Sequence, residues 1–158
     1  MTRIVSIAVA LMMMGVLTLG CNGCDERAMD EPQEGDIVVV LRADRGQLEP
    51  GQDVVFQLEL HNLAQTPVRL TFASEMEYDV VVSIEKTPVW SWSFDYEFEF
   101  VKTQRVMDAG QILTYDLTWP GTAQEGHEVE PGVYEARAML LATNVTVEEA
   151  FMELTVVE

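Results

Sequence analysis

Few side chains in this sequence are spaced to do chemistry. Asp95, Glu97 and Glu99 alternate along one short segment, and a row of carboxylates is what general acid–base catalysis draws on. No histidine lies near them in sequence to complete a site. Their alternation with Phe94, Tyr96, Phe98 and Phe100 has a plainer reading, an extended edge segment guarded from aggregation by charge. Ser74, His61 and Asp79 are the residue types of a hydrolytic triad. No GxSxG elbow accompanies them, and residue types without a motif are weak grounds for one. Cys21 and Cys24 are the sole cysteines, and His61 and His127 stand apart, so too few ligands are grouped for a zinc site. No glycine-rich phosphate loop is present. The expectation is a chain that is not an enzyme, with no cofactor and no metal.

The residue with the clearest chemical context is Cys21. It follows an arginine at position 3, an uncharged apolar run over residues 4–19, and Gly20. Such a run is short for a membrane span and suits a secretory leader. The sequence Leu17-Thr18-Leu19-Gly20-Cys21 is similar to a bacterial lipobox, with Thr18 where leucine is usual. Residues 1–20 are thus expected to be a lipoprotein signal peptide, with Cys21 lipidated as the mature N-terminus. Each buried CH₂ contributes about 0.8 kcal/mol, so two or three acyl chains anchor a protein to a bilayer almost permanently. The chain is expected to be exported and lipid-anchored to the cell envelope. A Cys21–Cys24 disulfide would close a very short loop and stabilise nothing beyond it. The sequon Asn144-Val145-Thr146 carries little meaning in a bacterial lipoprotein.

Charge narrows the partners. Nine Lys and Arg face 27 Asp and Glu, a balance that repels phosphates and anionic surfaces. Nucleic acid is excluded as a partner. Residues 21–35 are rich in Asp, Glu, Gly and Pro and almost without apolar side chains, which predicts an acidic, flexible tether.

Residues 36–158 are expected to be the domain. Val54, Phe56, Leu58 and Leu60 alternate with polar positions, the cleanest period-2 signal in the chain. Further strands are expected at residues 36–42, 68–72, 78–85, 89–93, 113–119, 134–140 and 151–157, with 94–100 extended as well. Pro88 interrupts the central pair because it cannot donate to a ladder. Trp90 and Trp92, two apart, share a face if that strand is unbroken. About eight strand signals, turns between them and no sustained 3.6-residue period predict an antiparallel, immunoglobulin-like β-sandwich. Phe56, Leu58, Trp92, Tyr115, Trp119 and Tyr134 are its expected core. Gly132 and Tyr134 are placed like a tyrosine corner, whose hydroxyl bonds back to upstream backbone. Residues 62–67, 73–77 and 120–130 are the polar connections. The last is long and glycine-containing, as exposed binding loops tend to be. Its Gly121, Gln124, Glu125, His127 and Glu128 are the candidate partner-binding residues.

The block Tyr78-Asp79-Val80 followed by Val89-Trp90-Ser91-Trp92-Ser93, with Phe72-Ala73-Ser74 before it and Phe98 after it, resembles the BsuPI-type intracellular proteinase inhibitor family. Ala109-Gly110-Gln111, Trp119 and Pro131-Gly132-Val133-Tyr134 extend the likeness, which covers roughly residues 54–141. The resemblance implies a family-motif core of Phe72, Tyr78, Asp79, Trp90, Trp92, Trp119, Gly132 and Tyr134. It also implies inhibition of a serine protease through an exposed loop, with a protease as partner. The chain departs from the family at Glu75-Met76, where Gly-Gln is usual, and at Ser91, where a basic residue is usual. These departures and the expected export leave a second class open, a non-catalytic envelope module that binds another envelope protein.

Overall fold

The computed structural model describes residues 31–158. The expected signal peptide, Cys21 and the expected tether up to residue 30 lie outside the described residues. Ten strands are present among those described: β1 (Ile37–Ala43), β2 (Gln47–Leu48), β3 (Val54–Asn62), β4 (Val68–Phe72), β5 (Tyr78–Ile84), β6 (Thr87–Ser91), β7 (Thr103–Met107), β8 (Ile112–Trp119), β9 (Gly132–Leu140) and β10 (Ala150–Val156). They form sheets ordered β1-β3-β8, β2-β10-β9-β5-β6 and β4-β7. Every pairing is antiparallel except the short β2–β10 contact. The fold is an immunoglobulin-like β-sandwich.

The alternating strands form for the reason their sequence suggests. In β3, Val54, Phe56, Leu58 and Leu60 are fully buried while their neighbours face outward. β8 lies beside it with Val54 opposite Trp119 and Leu58 opposite Tyr115. Tyr134, Ala136 and Ala138 of β9 and Leu154 and Val156 of β10 complete one core with Val80 and Val82 of β5. A one-residue slip of any of these strands would turn its apolar set to water, so the register is strongly specified. Trp119 is wholly buried, and its indole Nε1 donates to the Thr122 carbonyl at 2.7 Å, satisfying its one polar group. The Tyr134 hydroxyl donates to the Glu130 carbonyl at 2.8 Å, as the tyrosine-corner reading requires.

Three local expectations are corrected. Residues 94–100 are not a strand: Trp92–Asp95 is a 3₁₀ turn and the following residues are irregular up to β7. Their alternating pattern has no neighbouring strand to pair with, and β4 is paired with β7 instead. Because the strand ends at Ser91, Trp90 and Trp92 part company. Trp90 is buried in the core, whereas Trp92 and Tyr115 are half-buried against it. Pro88 does not end the central run either. The chain reverses at Glu85 and Lys86, both at positive φ (49° and 70°), a two-residue turn whose twist suits a hairpin. Pro88 then sits in β6, an outer strand of its sheet, where a missing N–H is tolerated.

Residues 31–35 lie against the domain. Pro32 is buried, the Gln33 amide donates to Asp36 Oδ2 at 2.7 Å, and Asn144 Nδ2 donates to Glu31 at 2.9 Å. Asn144 is also committed elsewhere. Its Oδ1 accepts from the Thr71 amide at 2.9 Å and its Nδ2 donates to the Arg69 carbonyl at 2.8 Å, so the sequon amide stands in for a strand beside β4.

Candidate functional site

The site is built outward from Asp79. Between Tyr78 and Val80 this carboxylate is buried, and a buried charge requires partners. It accepts four hydrogen bonds. Oδ1 takes the Val80 and Ser93 amides at 2.8 and 3.1 Å. Oδ2 takes the Ser91 and Ser93 hydroxyls at 2.9 and 2.7 Å. The two serines of the Trp-Ser-Trp-Ser block are therefore its ligands. They bend the chain out of β6 into the 3₁₀ turn and fix where Trp92 goes. A basic side chain in place of Ser91 would make an ion pair with the same carboxylate.

Trp92 lands on an aromatic stack. Its ring lies over Tyr78, centroids 4.9 Å apart and planes at 25°, and Tyr78 in turn meets Tyr115 at 4.4 Å. On the outer side Trp92 meets Tyr96 at 4.6 Å and Phe98 at 6.0 Å. Burial in this stack, with Tyr115 beside it, pushes the Tyr78 phenol up to about 12. Burial raises Tyr115 as well. Offset and tilted ring pairs add roughly 0.5–1.5 kcal/mol each beyond the area they cover, so the start of the irregular segment is held by apolar contact.

Its far end is held by polar contact. The Glu75 amide donates to the Glu99 carbonyl at 3.1 Å, and the Glu99 amide donates to Glu75 Oε2 at 3.3 Å. The Thr103 hydroxyl donates to the Ser74 carbonyl at 3.0 Å. Arg105 Nε donates to Glu77 Oε2 at 2.6 Å, which holds the guanidinium pKa above its ordinary value. Residues 73–77 and 94–102 thus form one clipped pair of loops. Ser74, Met76, Tyr96, Glu97, Phe98 and Phe100 line a cleft of about 480 Å³ between them. Between the fixed points the side chains face water: Phe94, Tyr96 and Val101 are more than half exposed and Phe100 is 96 % exposed. Four large apolar side chains exposed within eight residues form the kind of patch that marks an interaction surface.

The residues expected to bind a partner sit elsewhere and are unequal. Gly121 is buried, at φ +64°, and a Cβ there would collide with the backbone of Gln52. Its carbonyl accepts from the Gly51 amide at 2.9 Å. Gln124 Oε1 accepts from the Ser91 amide at 3.2 Å, covering an open donor on the outer strand β6. Glu125, at φ 62°, and His127 and Glu128 are exposed at the bend of the loop. The bend is closed by the Ala123 amide on the His127 carbonyl at 2.7 Å and by a bridge between Thr122 and Glu128. Residues 62–67 are tied in by Asn62, whose Nδ2 donates to the Met107 and Asp108 carbonyls at 3.1 and 2.9 Å.

Of the family-motif residues, Phe72, Asp79, Trp90, Trp119 and Tyr134 are buried, Tyr78, Trp92 and Gly132 half-buried. The triad types are not assembled. His61 pairs with Glu59 at 2.8 Å, Ser74 Oγ accepts from the Met76 amide at 3.2 Å, and Asp79 is held by the serines. Among the described residues no cluster of His, Cys, Asp and Glu suits a metal, and no helix is long and apolar enough to cross a membrane.

Sequence reasoning missed the part played by the aromatic segment. The signal was the charge-interleaved run of four aromatic side chains, which reads equally well as a guarded edge strand.

A family model described as BsuPI, intracellular proteinase inhibitor, matches residues 41–145. That span runs from within β1 through β9 and contains both clipped loops. Curated protein sequences give no match. Among solved structures, a β-glucosidase from Erythrobacter marinus is similar at a TM-score of 0.48 and 10% identity over 77% of this chain. The chain spans 15% of that enzyme's length. The CARDB domain of a Pyrococcus furiosus protein is similar at a TM-score of 0.44 and 14% identity, over 77% of this chain and 92% of that one.

Proposed function

From the premise that the chain belongs to the BsuPI intracellular proteinase inhibitor family, we propose that it is an envelope lipoprotein whose sandwich domain inhibits a serine protease through an exposed loop. The observation that carries the inhibitory half is the clipped pair of loops within the matched span. An inhibitor must offer its partner a surface that does not have to be ordered on binding, because ordering side chains and loops subtracts from affinity. The Asp79 hub, the ring stack and the Glu75–Glu99 contacts supply that order in advance. The export half rests on Gly20-Cys21 at the end of an uncharged apolar run, which would leave the protein tied to the membrane by acyl chains.

A second reading is favoured by the departures at Glu75-Met76 and Ser91: an envelope module that keeps the fold and binds another envelope protein without inhibiting. Fold alone does not carry activity, and two measurements separate the readings. The full chain, purified in detergent, is titrated against a panel of serine proteases. Stoichiometric loss of activity supports inhibition, whereas rapid digestion of the chain with no slowing of any protease leaves the binding module. Cys21→Ser is expected to release the protein from membranes or leave its precursor uncut. A Ser variant that still partitions with detergent and migrates like wild type would overturn the lipid anchor.

A further inference from the structure

We propose that residues 94–101 are the segment that enters the protease cleft, that Phe100 fills its specificity pocket, and that the target therefore prefers large apolar or aromatic side chains and carries basic residues around its cleft. This rests on the inhibitory reading above and adds which loop acts and on which class of protease.

Phe100 follows directly on Glu99, whose amide and carbonyl are both bonded to Glu75, and Thr103 is bonded to Ser74. Phe100, Val101 and Lys102 therefore span a short gap between two fixed points. Phe100 is 96 % exposed and Val101 54 %. A phenyl ring held out with no intramolecular cover has most to gain from a partner's pocket, and buried aromatic anchors dominate binding energy at interfaces. A hydrophobic slot in the primary pocket of a serine protease selects such a side chain, an acidic pocket selects arginine or lysine, and a small one excludes both.

Charge selects the surroundings of that pocket. Asp95, Glu97 and Glu99 interleave with the aromatic side chains, and Glu75 lies across the clip. Complementary potentials favour a basic rim and speed encounter. The same carboxylates disfavour the other occupants of an apolar patch. Two copies of the loop would set like charges face to face, and an anionic lipid surface would repel them.

The test uses the full chain with chymotrypsin, trypsin and elastase, whose pockets are a hydrophobic slot, an acidic site and a small site respectively. The expected result is inhibition of chymotrypsin, weakened at least about 30-fold in Phe100→Ala. In Phe100→Arg the inhibition moves to trypsin. Because the ring is exposed, neither variant should shift the melting temperature. Wild-type inhibition retained in full by both variants overturns the loop assignment and leaves the inhibitory reading standing. Inhibition of trypsin alone by the wild type overturns the aromatic-pocket class. Inhibition of none of the three, nor of any wider panel, removes the inhibitory reading and this inference with it. Dimerisation or binding to anionic vesicles that Phe100→Ala abolishes, with inhibition unchanged, assigns the patch to that contact and overturns the proposal.

Discussion

Two connections touch the same Trp-Ser-Trp-Ser block, one leaving it at Ser93 and the other reaching it through Gln124, and are held in opposite ways. Residues 120–130 are polar and are tied to the scaffold along their length, through Gly121 against Gln52, Thr122 against the Trp119 indole and Gln124 against the Ser91 amide. Little is left over except the bend at Glu125–His127. Residues 94–101 are aromatic and acidic. They are fastened at their ends, by the stack on Tyr78 at one and by Glu75 at the other, and the side chains between are exposed. A loop whose polar groups are consumed by its own scaffold works as a cover for the outer strand. A loop whose ends are fixed while its apolar side chains stay in water is suited to meeting something else.

The sharpest way to break this comparison is to remove the hub. Asp79→Ala deletes the acceptor of four hydrogen bonds and leaves two amides and two hydroxyls without it. Unsatisfied buried groups cost about 1–3 kcal/mol each, and part of this is recovered by water at the half-buried serines. A loss of about 3–4 kcal/mol in denaturant unfolding is expected, together with a shift in tryptophan emission as Trp92 leaves Tyr78. Stability within about 0.5 kcal/mol of wild type would mean that the ring stack alone places residues 94–101.

The polar loop is broken at Gly121. In Gly121→Ala the new Cβ meets the Gln52 backbone while the residue is held at positive φ, and both effects act against the native loop. Strain and steric displacement of this kind cost about 2–3 kcal/mol. The comparison predicts that this variant is destabilised yet still presents residues 94–101, so any protease inhibition survives below its melting temperature. Loss of inhibition from the folded variant would transfer the contact to the polar loop and restore the role expected of His127 and Glu128.

What could be read from the sequence divides along a physical line. β3, β8 and β9 were legible because half-buried strands repeat their apolar residues every second position, as Phe56, Leu58, Tyr115, Leu117, Tyr134 and Ala136 do. The tyrosine corner was legible because its bond spans four residues. β7 is not legible, because a five-residue strand with one buried position, Met107, has almost no pattern to show. Residues 94–100 carried a strand pattern without a strand partner, and pairing is not written in a single segment. The Asp79 hub joins residues 12 and 14 apart. An acidic residue in the run Tyr78–Val82 signals a buried group in need of donors. Only the fold reveals that Ser91 and Ser93 supply them, and in the sequence Ser91 stands out only as a departure from the family pattern.

The smallest expected effect is the high-pH titration of the ring stack. Tyr78 is pushed up to about 12, first by its burial, from the ordinary value of 10.0. The folded state therefore keeps the proton that the unfolded chain gives up. The stability this contributes is fully present below pH 10 and is lost as pH rises from about 10 towards 12, because over that window the unfolded state binds fewer protons. Tyr78 is only half-buried, so solvent screening reduces the size of the effect and the titration itself is the better readout. An ultraviolet absorbance titration should show a late-ionising phenol that disappears in Tyr78→Phe. In Trp92→Ala the same phenol should ionise closer to 10, because water replaces the ring that covers it. His127→Ala, in the polar loop, should leave it where it is. If Trp92→Ala also leaves it in place, the phenol is buried by Tyr115 and the sandwich end rather than by Trp92. Residues 94–101 would then be held by Asp79 and Glu75 without help from the stack.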